Sequence, residues 1–266
     1  MMKPLRIWAV QPDLQWEQPA ANRARIQSMI EAQPGQADLI VLPEMFTTGF
    51  SMRAKALAEP MEGETVRWME RMADRHQALI CGSLIIAEDR RYYNRMVMAA
   101  PQEGVLAEYD KRHLFPLAGE HQHYARGESM TWAEYKGWRM APMICYDLRF
   151  PVWSRNTITD SDTLRYDLLL YVANWPAARI QHWEILLRAR AIENQAFVIG
   201  VNRVGTDGAG LSYPGASVIL DPQGQVLAEG GASESVLSAV LDPAQLQSYR
   251  KQFPFWQDTD LFEIYP

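Results

Sequence analysis

The stretch 166–202, YDLLLYVANWPAARIQHWEILLRARAIENQAFVIGVN, decides the fold. Its two ends, 166–173 (YDLLLYVA) and 195–202 (QAFVIGVN), are apolar runs of the length expected for strands buried on both faces. Residues 180–194 between them read as an amphipathic helix. Two buried runs joined by one helix are what a parallel strand-helix-strand crossover looks like.

Toward the N-terminus the same alternation continues. Residues 5–10 are a short apolar strand, 20–33 a helix with Ile26, Met29 and Ile30 on one face, and 38–43 (DLIVLP) a strand that Pro43 ends. Residues 63–77 read as a second helix through Val66, Met69, Met72 and Ala73, followed by strands at 78–87 (ALICGSLIIA), 95–100 and 105–110. The segment 111–130 has no period and contains Pro116, Gly119, Gly127 and His113, His121 and His123. Residues 137–145 (GWRMAPMIC) form another strand, with a short helix expected near 150–156. Beyond the crossover, 216–229 (ASVILDPQGQVLAE) sets the turn Asp221-Pro222-Gln223-Gly224 between two apolar runs and reads as a hairpin. Strands joined by helices and strands joined by hairpins imply an α/β fold of mixed sheets with helices outside them. No linker, repeat or low-complexity tract divides the 266 residues.

Lys and Arg number 26 against 32 Asp and Glu, a formal charge of −6, and the pI is about 5.5. A nucleic-acid binder carries a basic face, so this balance argues against that partner. With 48% hydrophobic and 22% charged residues, the chain can bury enough apolar surface to offset its ordering entropy, and is expected to fold. No apolar run approaches the roughly 20 residues of a membrane helix, and 7–10 is too short for a signal-peptide core. Cys81 and Cys145, the 2 cysteines, are too few for a disulfide framework, and a reducing, cytoplasmic location is the expectation.

Three reactive side chains fall at strand-to-loop transitions: Glu44 after DLIVLP, Lys111 after VLAEYD and Cys145 after GWRMAPMI. In α/β folds the carboxyl ends of strands project side chains into a crevice, where sites assemble. Cys145 has two readings. At a strand end entering a helix, backbone N–H groups and the helix dipole favour a thiolate nucleophile; free cysteine is also a common buried residue. Glu44 is either a surface carboxylate or a general base desolvated by Leu42, Pro43, Met45 and Phe46. Lys111, taken alone in YDKRH, is a solvated loop charge, and Cys81 within 78–87 is core. His121 and His123 form an HxH pair without a third ligand at a metal-site spacing. The stretch 205–210 (GTDGAG) fits neither a phosphate loop nor the dinucleotide pattern and reads as an irregular loop, and 213–217 (YPGAS) lacks the G-x-S-x-G elbow.

Together, LPEMFTTGF (42–50), YDKRHLFPLAGEH (109–121) and MICYDLRFP (143–151) resemble the nitrilase, or carbon–nitrogen hydrolase, superfamily, whose signature is a Glu, Lys, Cys triad in that order. The resemblance runs through HWEILLRARAIENQAFVIGVNRVG (182–205) and GASVILDPQGQVLAE (215–229), nearly the whole chain. PEMFTTGF, CYDLRFP and YVANWP are most similar to the omega-amidase branch, which hydrolyses the terminal amide of 2-oxoglutaramate and related short dicarboxylic monoamides. The resemblance implies that Glu44 is the general base, Lys111 the catalytic lysine and Cys145 the nucleophile, with Glu120 a second glutamate beside the lysine. It further implies a single domain over 1–266, a four-layer α-β-β-α sandwich, and a dimer.

In such a triad the Lys111 ammonium and the backbone N–H of Tyr146 hold the oxyanion, and no metal or organic cofactor is required. A substrate carboxylate calls for a cation. Arg149, four residues after Cys145, is the candidate, with a structural ion pair, for instance to Asp147, as the alternative. Asn174 and Trp175, at the end of YVANWP, line the opposite wall. The aromatic run Phe253-Pro254-Phe255-Trp256 in the tail, about 243–266, is expected at a homodimer interface or folded back on its own core. Competing functions are another activity of the superfamily (nitrilase, N-carbamoyl amide hydrolase or deaminated-glutathione amidase) and a non-catalytic binding protein on the same fold.

Overall fold

A computed structural model of the protein describes residues 2–159, 163–260 and 262–264. In chain order these form β1 (Leu5–Gln11), α1 (Pro19–Glu31), β2 (Leu39–Val41), α2 (Ala54–Leu57), α3 (Glu64–His76), β3 (Leu79–Glu88), β4 (Arg91–Ala100) and β5 (Gly104–Asp110). There follow β6 (Ala133–Tyr135), β7 (Trp138–Ile144), β8 (Leu168–Val172), α4 (Ile180–Asn194), β9 (Phe197–Val201), β10 (Val204–Thr206), β11 (Ser212–Pro214), β12 (Val218–Leu220), β13 (Val226–Glu229), β14 (Ser235–Leu241) and α5 (Pro243–Gln252).

Among the described residues the strands make two six-stranded sheets, ordered β14-β1-β2-β3-β4-β5 and β13-β12-β9-β8-β7-β6, and the ribbon β10-β11. The crossover is parallel: β8 lies between β7 and β9, with Leu168 opposite both Met140 and Phe197. Every residue of β8 and β9 is buried, as their unbroken apolar runs require. Helix α4 ends where Gln195 turns left-handed at φ 45°. Gly200 lets the helix sit close, because a Cβ there would lie 2.4 Å from the Leu187 side chain.

The first sheet has two buried faces. Leu5, Ile7, Leu39, Val41, Leu79 and Cys81 pack toward the second sheet in one core, which Trp183, Leu187 and Ala191 of α4 close on the far side. The alternate residues, Trp8, Val10, Ile40 and Ile80, pack with Ile26 and Ile30 of α1 and Val66, Met69 and Met72 of α3. This period-2 division yields four layers, helices, sheet, sheet, helix. Truncating a fully buried residue of the shared core, such as Leu187, is expected to cost about 2–5 kcal/mol.

Three local readings differ from the structure. The short helix expected near 150–156 is replaced by a 3-10 helix over Cys145–Arg149, wound there because the Asp147 carboxylate accepts the Ile144 N–H at 3.0 Å. Strand β4 begins at Arg91 rather than near 95, because Asp89 and Arg90 both take positive φ, 48° and 62°, and close a tight hairpin without the usual glycine. The stretch 205–210 carries the turn of the β10-β11 ribbon, where Asp207 accepts N–H bonds from Ala209 and Leu211.

The tail is divided. Leu246 of α5 joins the shared core, and Arg250 donates to the Gln195 and Tyr166 carbonyls and to Asp167. Phe253 and Phe255, stacked with centroids 5.7 Å apart, stay at the surface, 38% and 61% exposed. Residues 261, 265 and 266 of the expected interface tail lie outside the described residues.

Candidate active site

The carboxyl ends of β2, β5, β7 and β8 converge on one point between the sheets. Pro43 stops β2 and Glu44 follows it, fully buried. Met45, next in line, is held left-handed at φ 42°, and its N–H donates to Ser83 Oγ at 2.8 Å. The Glu44 carboxylate is fixed from three sides: Oε1 accepts from Lys111 Nζ at 2.9 Å and from Asn94 Nδ2 at 2.8 Å, and Oε2 accepts the backbone N–H of Asn174 at 2.8 Å.

Lys111, the first residue after β5, is fully buried rather than a solvated loop charge. Its ammonium also lies 3.0 and 2.9 Å from the two oxygens of Glu120. Burial lowers the Lys111 pKa, but the Glu120 and Glu44 charges raise it by more, so the group stays charged. Glu120 is itself fully buried and is held by the Phe115 N–H at 2.6 Å. Burial pushes its carboxyl upward, Lys111 opposes this and Glu44 adds to it.

Cys145, the first residue after β7, has φ at +47°, a strained conformation that turns the chain out of the strand. Burial raises the thiol well above its ordinary range, the Glu44 charge raises it further, Lys111 opposes them and the Glu120 charge adds to the rise. The sequence reading places a dipole-stabilised thiolate here; burial beside two carboxylates works against it, and the helix that begins at Cys145 has five residues. Cys81 is the other free cysteine, enclosed in the shared core.

Cys145 is partly exposed and opens into a pocket walled by Phe50, Phe115, Trp175 and Tyr213, with Arg149 and Arg179 on its lining. The chain matches the family model described as carbon-nitrogen hydrolase over residues 6–251. It belongs to the carbon–nitrogen hydrolase family. It is 46% identical over 265 residues to the omega-amidase YafV of Escherichia coli (strain K12), covering 99% of this chain and 100% of that one. It is 34% identical over 254 residues to the 2-oxoglutaramate amidase of Bacillus subtilis (strain 168), with 95% and 96% covered. Among solved structures it is similar to XC1258 from Xanthomonas campestris, a CN-hydrolase superfamily protein with an arsenic adduct in its active site. The TM-score is 0.96, with 45% identity, 99% of this chain and 100% of that one.

In this carbon–nitrogen hydrolase the residues singled out in the sequence occupy one site. Arg149, on the 3-10 helix leaving Cys145, lies over the Trp175 ring at 4.9 Å and within 3.2 Å of His182 Nδ1. No carboxylate pairs with it among the described residues, and the ion pair with Asp147 does not form. Asp147 is instead consumed by the scaffold: it accepts from Tyr109 Oη at 2.8 Å, from the His113 N–H at 3.0 Å and from the Ile144 N–H, with His113 Nδ1 2.8 Å away. These contacts pin the turn that presents Cys145 and Tyr146. The Tyr146 ring packs edge-on against Phe115 and Phe150, with centroids 5.0 and 5.1 Å away. Asn174 and Trp175 line the pocket, with Trp175 under Arg149 rather than on an opposite wall, and the Trp175 backbone is fixed by the Asn202 side chain on both sides.

Four contributions to the site were not legible in the sequence. Asn94 bridges Glu44 and, at 3.2 Å, Glu120, with its side-chain carbonyl held by Ser83 Oγ at 2.8 Å; it stands between Tyr93 and Arg95, ahead of the apolar run 96–100, and carried no signal of its burial. Arg179 lies over the Phe115 ring at 5.3 Å. Asp147 and His113 act through contacts between segments 34 residues apart, which no local pattern encodes.

Proposed function

We propose that this carbon–nitrogen hydrolase cleaves the terminal carboxamide of short omega-amides bearing a distal carboxylate, 2-oxoglutaramate foremost, giving the acid and ammonia. The carrying observation is Cys145 on the lining of a pocket, beside the buried Glu44 that Lys111 contacts at 2.9 Å. The names of the Escherichia coli and Bacillus subtilis relatives supply the substrate class.

In the proposed mechanism Cys145 Sγ attacks the carboxamide carbon while Glu44 takes the thiol proton. The C–S bond forms and the carbonyl electron pair moves onto oxygen, held by Lys111 and the Tyr146 N–H, each donor worth about 3 kcal/mol. Glu44 returns the proton to nitrogen, the C–N bond breaks and ammonia leaves a thioester. Water, deprotonated by Glu44, attacks that thioester; the C–S bond breaks, Glu44 returns the proton to the Cys145 sulfur, and the acid departs. Glu120 shares the Lys111 ammonium and fixes its position. Arg149, free of a carboxylate partner among the described residues, grips the distal carboxylate, with Arg179 a second cation on the same pocket, while Trp175 limits chain length.

The protein is proposed to act as a cytoplasmic homodimer, without nucleic-acid or membrane partners and without metal or organic cofactor. The thiol-dependent chemistry suits a reducing compartment, the charge of −6 disfavours polyanions, and no helix among the described residues is long and apolar enough to cross a membrane. The exposed Phe253 and Phe255 favour the tail as the interface. Light scattering at micromolar concentration tests the dimer. For the activity, ammonia release from 2-oxoglutaramate, glutamine, deaminated glutathione, simple nitriles and N-carbamoyl amino acids decides. Fastest turnover of 2-oxoglutaramate is expected; preference for a nitrile, a carbamoyl compound or deaminated glutathione reassigns the branch, and no release from any of them leaves the non-catalytic reading.

A further inference from the structure

We infer that Asn174 selects carboxamides by accepting an N–H of the scissile amide group on its Oδ1, an inference that rests on the amidase reading above. Asn174 stands two residues beyond the end of β8, only 5% exposed, and lines the same pocket as Cys145. Its amide orientation is dictated by its surroundings. The Nδ2 donates to the Glu44 backbone carbonyl at 2.6 Å and lies 3.5 Å from Glu44 Oε2. Both of those atoms only accept, so nitrogen must occupy that branch and oxygen the other. That oxygen, Oδ1, is buried and has no hydrogen-bond partner among the described residues. A buried acceptor without a donor is costly, and a ligand that brings a donor explains its retention.

The reaction supplies such a donor. A primary carboxamide carries two N–H bonds, and with its oxygen turned to Lys111 and Tyr146 the nitrogen side needs an acceptor. As Glu44 passes its proton to the leaving nitrogen, that nitrogen gains positive charge, so a hydrogen bond to Oδ1 strengthens toward the transition state. An ester oxygen or a nitrile nitrogen carries no hydrogen and leaves Oδ1 unpaired. Asn174 thus joins two tasks, bracing the Glu44 carboxylate through its backbone N–H, which alanine keeps, and orienting the substrate through its side-chain oxygen.

The test compares wild type with Asn174→Ala on the best-cleaved amide of the substrate panel and on the corresponding methyl ester. Wild-type ammonia release checks the activity itself and is scored separately. In parallel, the pH dependence of Cys145 modification by methyl methanethiosulfonate, which carries no amide, reports on Glu44 beside the thiol. The expected result is a kcat/KM loss of about tenfold or more on the amide, a far smaller loss on the ester, and an unchanged modification profile. Equal losses on amide and ester would overturn the inference and leave Asn174 as a brace for Glu44, as would a shifted modification profile with the amide-to-ester ratio unchanged. Asn174→Ser serves as the second variant if the alanine variant does not fold, read by the same ratio.

Discussion

Lys111 Nζ and Glu44 Oε1 meet at 2.9 Å with neither side chain reaching solvent, although 67 positions separate them in the chain. A buried ammonium between two carboxylates is held by geometry that only its own shape satisfies. Lys111→Ala strands Glu44 and Glu120 without their cation, and is expected to cost about 3–5 kcal/mol of stability as well as activity. Lys111→Arg keeps the charge, but a planar guanidinium cannot place it at the same point, so turnover should fall nearly as far as in the alanine variant. Chemical denaturation and steady-state ammonia release check the pair; near-normal turnover of Lys111→Arg would show that charge alone suffices.

Glu44→Gln keeps the shape of the side chain and removes the proposed base. Activity is expected to fall by at least about a hundredfold. Retention of near-normal turnover would make Glu44 structural and transfer the proton to Glu120, the nearest other carboxylate in the cluster.

Glu120 gives a pH-dependent prediction. Its folded pKa is raised above the ordinary carboxylate value by burial, so its contribution to stability is present below that ordinary value and declines as pH rises through the folded one. Glu120→Gln should therefore match wild type in acid and be at least as stable at pH 8, measured by thermal unfolding across that range. Because the Glu120 charge also raises the Cys145 thiol, the same variant should be alkylated faster at neutral pH even as turnover falls. A lower melting temperature at pH 8 would mean that the bonds to Lys111 outweigh the burial of its charge.

The fold was largely legible because its evidence is local: unbroken apolar runs at 166–173 and 195–202 and a single helical period between them permit one arrangement. The site was legible only in part. Glu44, Lys111 and Cys145 stand at strand ends, a placement visible in the sequence, but no property of YDKRH distinguishes a buried lysine from a solvated one; the family resemblance supplied that role. Asp147 illustrates the remainder. In the sequence it is a plausible partner for Arg149 two residues away, whereas in the structure Tyr109 and His113, brought in from β5 and the loop beyond it, take both its oxygens. The choice is made by tertiary approach, and the release of Arg149 into the pocket is its consequence.

Arg149→Lys should separate recognition from scaffold. A single ammonium replaces a bidentate donor, so kcat/KM on 2-oxoglutaramate should drop about tenfold or more, with little change on an amide lacking the distal carboxylate. Equal loss on both substrates together with a lowered melting temperature would assign Arg149 to the fold.

The most direct measurement is the mass of the enzyme quenched during turnover of 2-oxoglutaramate, with the modified peptide sequenced. An acyl group on Cys145, absent from a folded and inactive Cys145→Ala variant, is the predicted result. An adduct on Cys81, or turnover by Cys145→Ala, would contradict the thioester mechanism.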